Sequence, residues 1–92
     1  MSSWWVVLEE TRGSGDRRAW TLSWSAPVGD RDSAAAEALR LAHEHVPAYP
    51  WSPTKRQVLR VGEDGYLVVV DGKASRFHFR VTLAEAVGDS GA

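Results

Sequence analysis

The chain contains no cysteine. That excludes disulfide frameworks, thiolate metal sites and cysteine nucleophiles. Long apolar runs are missing too: the longest, Trp4–Leu8 and Tyr66–Val70, fall far short of the ~20 residues of a membrane span. The first residues, Met1-Ser2-Ser3-Trp4, carry neither a charged leader nor an apolar stretch behind it. No signal peptide is expected, and a cytoplasmic location is. Charge of one sign is also lacking. Eleven basic and twelve acidic residues leave a net charge of −1. Residues 1–53 hold five bases and seven acids, and residues 54–92 six bases and five acids. Neither half has the broad basic field that favours nucleic acid, so such binding would need bases clustered on one face.

What is present is a 92-residue chain with an ordinary apolar and charged content, one domain in size. Nine of its eleven bases are arginine, and five residues are tryptophan. Each tryptophan brings a large apolar area and an N–H that needs a partner when buried.

Trp4–Glu10 is β-branched and aromatic, as strands prefer. A polar, glycine-bearing turn follows. Ala19–Ser25 then alternates at period two, with Trp20, Leu22 and Trp24 on one face. Pairing Leu8 with Trp20 predicts a β-hairpin whose buried face carries those three side chains. Ala26-Pro27-Val28-Gly29 ends the strand. Asp30 is a candidate helix N-cap, and Asp32 suits the first turn. The alanine-rich stretch from Ser33 to His45 predicts a helix with a stripe of Ala35, Ala38, Leu39, Ala42 and Val46. Pro47 stops it. Residues 46–53 are expected to form a stiff connector with three prolines, and Tyr49 or Trp51 to plug the end of the core beneath the helix.

Two more hairpins are expected. Lys55–Val61 turns through Gly62–Gly65 into Tyr66–Val70, and a tight turn at Asp71-Gly72 leads into Lys73–Leu83. Residues 84–92 drift into a helical turn and a frayed tail. The element order is ββαβββ, which argues for an α+β domain: a five-stranded, mainly antiparallel sheet with one helix on one face. Placing the fifth strand beside the first gives strand order 3-4-5-1-2.

A single helix leaves the other sheet face uncovered. Alternation along the strands assigns to it Trp5, Val7, Val58, Arg60, Leu67, Val69, Arg76, His78 and Arg80, with Arg56 at its edge. Aliphatics mixed with cations suggest a contact surface, unless the arginine stems simply lie over the aliphatics. A protein partner or a second copy is the expected occupant. Single-stranded nucleic acid is the alternative, with Trp5 stacking and Arg56, Arg60, Arg76 and Arg80 meeting phosphates.

Catalytic and metal signatures are sparse. His43 and His45 lie at i and i+2, about 200° apart on a helix, and cannot easily share one ion. His78 is expected to be a surface imidazole. Gly13-Ser14-Gly15 lacks the strand-to-helix context of a nucleophile elbow. No phosphate-binding glycine loop is present. A small enzyme with a site near His45, Tyr49 and Trp51 is a third reading. The chain is expected to be non-enzymatic, with no cofactor or metal. The segments Trp4–Val7, Trp51–Val58 and Phe77–Val81 resemble a group of small actinobacterial proteins, a resemblance that implies no activity, ligand or catalytic residue.

Overall fold

A computed structural model describes residues 3–12, 19–46, 53–72, 76–89 and 91. Five strands and one helix follow one another as β1 (Ser3–Arg12), β2 (Ala19–Gly29), α1 (Arg31–Glu44), β3 (Pro53–Val61), β4 (Gly65–Gly72) and β5 (Arg76–Ala86). All strand pairs are antiparallel, in the order β2-β1-β5-β4-β3. This is the α+β architecture and the strand order that the sequence pattern predicts.

The helix starts where its cap residue requires. Ser33 N–H donates to Asp30 Oδ1 at 2.7 Å, satisfying one of the free amides of the first turn. That backbone bond, with the Ser33 hydroxyl second, holds the Asp30 carboxyl below its ordinary value of 3.8. The cap therefore stabilises above the ordinary carboxylate range and is lost as pH falls through the lowered value.

The core lies between α1 and one sheet face. Val6 and Leu8 of β1, Val68 and Val70 of β4, and Phe79, Val81 and Leu83 of β5 meet Ala34, Ala38 and Ala42 of the helix. The three alanines recur every four residues and form one stripe. This corrects the predicted stripe by part of a turn: Leu39 is 42% exposed and Val46 72%. Alanine wins the contact because its small side chain lets the helix backbone approach the sheet, while the leucines flank it. Tyr49 and Trp51 lie outside the described residues.

The first hairpin departs from the predicted register. Leu8 pairs with Trp24, not Trp20, and a register shift falls between Leu8 and Glu9. Beyond that irregularity Leu22 pairs with Glu9 and Trp20 with Thr11. A bulge of this kind inserts a residue and reverses the facing of everything past it. Trp20 and Leu22 thus leave the helix side, and Trp24 keeps it by register but is 42% exposed. The helix rests on valine, leucine and phenylalanine instead of the expected tryptophan face.

The β3–β4 turn is one residue shorter than predicted. Val61 pairs with Gly65, leaving Gly62-Glu63-Asp64 as the connection. Gly62 sits at φ 63°, a left-handed conformation that side chains, above all β-branched ones, resist. Gly62→Val is expected to cost about 1–3 kcal/mol in urea denaturation. At Gly88 a Cβ would meet open space, with no heavy atom within 4 Å, and the same change there should fall within about 0.5 kcal/mol.

The turn expected at Asp71-Gly72 is not the turn: Asp71 pairs with Arg76 and Gly72 pairs with Pro53 on β3. Residues 73–75 lie outside the described set. The facing survives, because Val70 pairs with Phe77 and Val68 with Phe79. β5 also runs further than predicted. Ala84, Glu85 and Ala86 pair with Trp5, Trp4 and Ser3 instead of beginning a tail.

Candidate interaction face

The uncovered face is set by strand parity. Trp5, Val7 and Glu9 project from β1, Leu67 and Val69 from β4, and Arg76, His78 and Arg80 from β5, as the pairings Glu9↔Arg80, Leu67↔Arg80 and Val69↔His78 require. Six of the eight predicted contact residues therefore share this face: Trp5, Leu67, Val69, Arg76, His78 and Arg80.

Val58 and Arg60 do not. Val58 pairs with Val68 and Arg60 with Tyr66, and both Val68 and Tyr66 belong to or pack on the core. The three-residue turn moves β3 by one position, which exchanges its two faces. Val58 packs partly buried against the core. Leu59 and Val61, which the predicted register buried, are 39% and 57% exposed. Leu59 takes its place on the uncovered face opposite Leu67.

Trp20 and Leu22 are contact-face residues that sequence reasoning missed because of the bulge in the first hairpin, and Leu59 one it missed because of the shorter β3–β4 turn; Glu9 stands where alternation along β1 puts it. Trp20 meets two of the predicted residues. The Arg80 guanidinium lies 4.1 Å from the Trp20 ring centroid, a close cation–π contact. The His78 ring meets the same indole edge-on, with centroids 5.2 Å apart.

The cations on this face are largely spoken for. Arg80 forks onto Glu9, with Nε donating to Oε1 at 2.9 Å and Nη2 to Oε2 at 3.2 Å. Arg76 Nε donates to Asp71 Oδ1 at 2.7 Å. What remains is a largely apolar surface on which Arg80 and Arg76 are neutralised, with Lys55 at its β3 edge. Next to the β3–β4 turn Gly65 and Thr82 supply little bulk. An open recess of about 540 Å³ lies there, walled by Trp20 and Val61 on the outer strands and by Leu67 and Arg80 between them.

A second polar cluster lies on the other face, at the end of the helix. Arg56, predicted at the rim of the uncovered face, turns to the helix instead. It donates to the carbonyl of Ala42 at 2.9 Å and to that of His45. Those carbonyls have no partner within the helix, and a cation there also suits the helix dipole. His45 Nε2 lies 3.0 Å from Glu10 Oε1, and Ser23 Oγ donates to Glu10 Oε2 at 2.6 Å. The His45 ring packs edge-on against Phe79 at 4.9 Å.

This is the neighbourhood of the enzyme reading. Its order is wrong for a nucleophilic serine, because the carboxylate stands between serine and imidazole, whereas a base must hold the hydroxyl proton itself. The arrangement is better suited to fastening the helix end to β1, β2 and β3. Arg56→Ala is expected to cost about 1–3 kcal/mol. Amide exchange at His45, whose N–H donates to Leu41 O, should quicken with it.

Among the described residues no group of three or more metal-ligating side chains gathers. No helix there is long and apolar enough to cross a membrane. No family model, curated protein or solved structure matches the chain, so the resemblance to small actinobacterial proteins gains no support.

Proposed function

We propose that the protein is a non-catalytic interaction module that pairs with a second copy of itself through the uncovered sheet face. The observation that carries this reading is the face itself. Trp5, Val7, Leu22, Leu59, Leu67 and Val69 share it, and Arg80 and Arg76 are matched on it by Glu9 and Asp71.

A surface that is mostly apolar, with Arg80 and Arg76 matched by carboxylates and Lys55, unmatched among the described residues, only at its β3 edge, can meet its own copy with little like-charge repulsion, as a two-fold interface demands. Size agrees. Five strands at ~4.8 Å spacing, each about 30 Å long, offer roughly 700 Å² per copy, against about 800 Å² per partner in standard interfaces. Shape agrees as well. The Cα radius of gyration is 14.3 Å, where a compact chain of this length has about 12 Å. The flat form would be completed by a second layer on the bare side.

The nucleic-acid alternative is weaker than the sequence pattern suggests. Arg60 and Arg56 belong to the helix side, and Arg80 and Arg76 already hold carboxylates. Sedimentation velocity with a poly-dT chase separates the readings. The homodimer reading expects a dimer that persists as salt rises from about 50 to about 300 mM, because apolar burial is not screened. A monomer that binds poly-dT, with affinity falling steeply over that range, would instead establish the alternative.

A further inference from the structure

The sheet has two edges, β2 and β3, and they are built differently. An edge strand offers unpaired N–H and C=O groups at every second residue, and chains usually guard them. β2 is guarded. Pro27 lies within it, two register shifts interrupt its pairing with β1, and Gly29 at its end has φ 113°. From Lys55 to Val61, β3 pairs with β4 one residue to one, without interruption and without proline. Lys55, Gln57, Leu59, Arg60 and Val61 are all exposed along it.

The charge on β3 has one sign. The strand carries Lys55, Arg56 and Arg60 and no acid. Arg56 is committed to the helix end. Asp71, which faces Lys55 across the pairing, is held by Arg76. Among the described residues, Lys55 and Arg60 make no ion pair.

We propose that the outer edge of β3 receives an acidic, extended segment of a partner protein, which adds to the sheet as a sixth strand. Main-chain hydrogen bonds would supply the attachment, as in other strand-addition complexes, and carboxylates at Lys55 and Arg60 the preference. A second copy of β3 is the wrong occupant, since it would bring three further bases to a strand with no acid to meet them. A nucleic-acid backbone is wrong too, because its phosphates have no donors for the outward carbonyls. This surface is distinct from the proposed dimer face: copies stacked face to face leave the sheet edges open.

The test uses a capped peptide of about nine residues, valine-rich with two glutamates five positions apart so that one carboxylate lies on the Lys55 side of the strand and the other on the Arg60 side, titrated into isotope-labelled full-length protein. Two further peptides accompany it, one with lysine for glutamate and one N-methylated at alternate amides. The acidic peptide should shift and protect β3 amides while leaving β2 amides unchanged. Charge reversal by Lys55→Glu with Arg60→Glu, both exposed positions, should weaken it by about tenfold or more with the circular dichroism unaltered. The lysine and N-methylated peptides should not bind. Equal binding of the N-methylated peptide, indifference to the charge reversal, shifts confined to Trp5, Leu67 and Val69, or no binding at millimolar peptide would each overturn the proposal. Repeating the titration on a Leu67→Glu variant keeps it separate from the dimer reading, since β3 should respond whether or not the chain self-associates.

Discussion

Replacing Phe79 by alanine is expected to cost roughly 3–5 kcal/mol. Phe79 is fully buried on β5, the middle strand of the sheet, and pairs with Glu10 on one side and Val68 on the other. The His45 ring meets it edge-on, and the Arg56 guanidinium lies 5.8 Å from its centroid. Removing the ring therefore takes away apolar burial and also the surface on which the helix end rests. The gap cannot close easily. Neighbouring strands are fixed by their ladders, and the helix already presents Ala34, Ala38 and Ala42, which have no length to reach inward. A cavity that persists carries its full energetic cost. Small domains have only about 5–15 kcal/mol in total, so the variant should lose roughly a fifth or more of its stability. Urea titration should show a lower midpoint with an unchanged slope. A loss below about 1 kcal/mol would mean that the helix does not seat on Phe79. Leu39→Ala, by contrast, should be nearly silent, because Leu39 is 42% exposed on the outer side of the helix.

That contrast shows where the sequence is informative and where it is not. Element order and the Asp30 cap are legible because they rest on strong local signals: alternation, an alanine-rich stretch, a capping carboxylate. Facing depends on counting residues through turns and bulges, and one miscount reverses a whole strand. The bulge has no signature, because its extra residue is Ser23 of β2, in a stretch that alternates as cleanly as an uninterrupted strand, while β1 keeps its own alternation through Leu8, Glu9 and Glu10. Glu10 goes to the core side, where Ser23 and His45 receive it, and Glu9 goes to Arg80. The turn after Val61 offers two glycines, Gly62 and Gly65, and either length is chemically reasonable. The facing of β4 and β5 is legible for a physical reason. A tight turn and a four-residue loop after Val70 share one parity, so Leu67, Val69, Arg76, His78 and Arg80 keep their face even though the predicted tight turn does not form. Within the helix the apolar contrast is too low to fix its rotation, because Ala and Leu sit on several sides.

Leu67→Glu should convert the proposed dimer into a monomer, raising the dimer dissociation constant by roughly 100-fold or more. Leu67 lies on β4 between Leu59 and Arg80 and lines the recess, so a facing copy would desolvate whatever stands there. The adjacent cation would not neutralise a new carboxylate, since Arg80, across the pairing from Leu67, already gives both arms of its fork to Glu9. Two-fold symmetry would double the penalty by introducing one such charge from each copy. The fold should remain, because Leu67 points away from the core and the Val68 and Phe79 contacts are untouched. Leu39→Glu is the matched control: it adds the same charge on the outer side of the helix and should leave sedimentation unchanged. If both variants sediment as the wild-type dimer does, copies meet somewhere other than this face. If the wild type is itself a monomer at about 100 μM, a concentration at which an apolar interface of standard size is well populated, a second copy is not the occupant of the face.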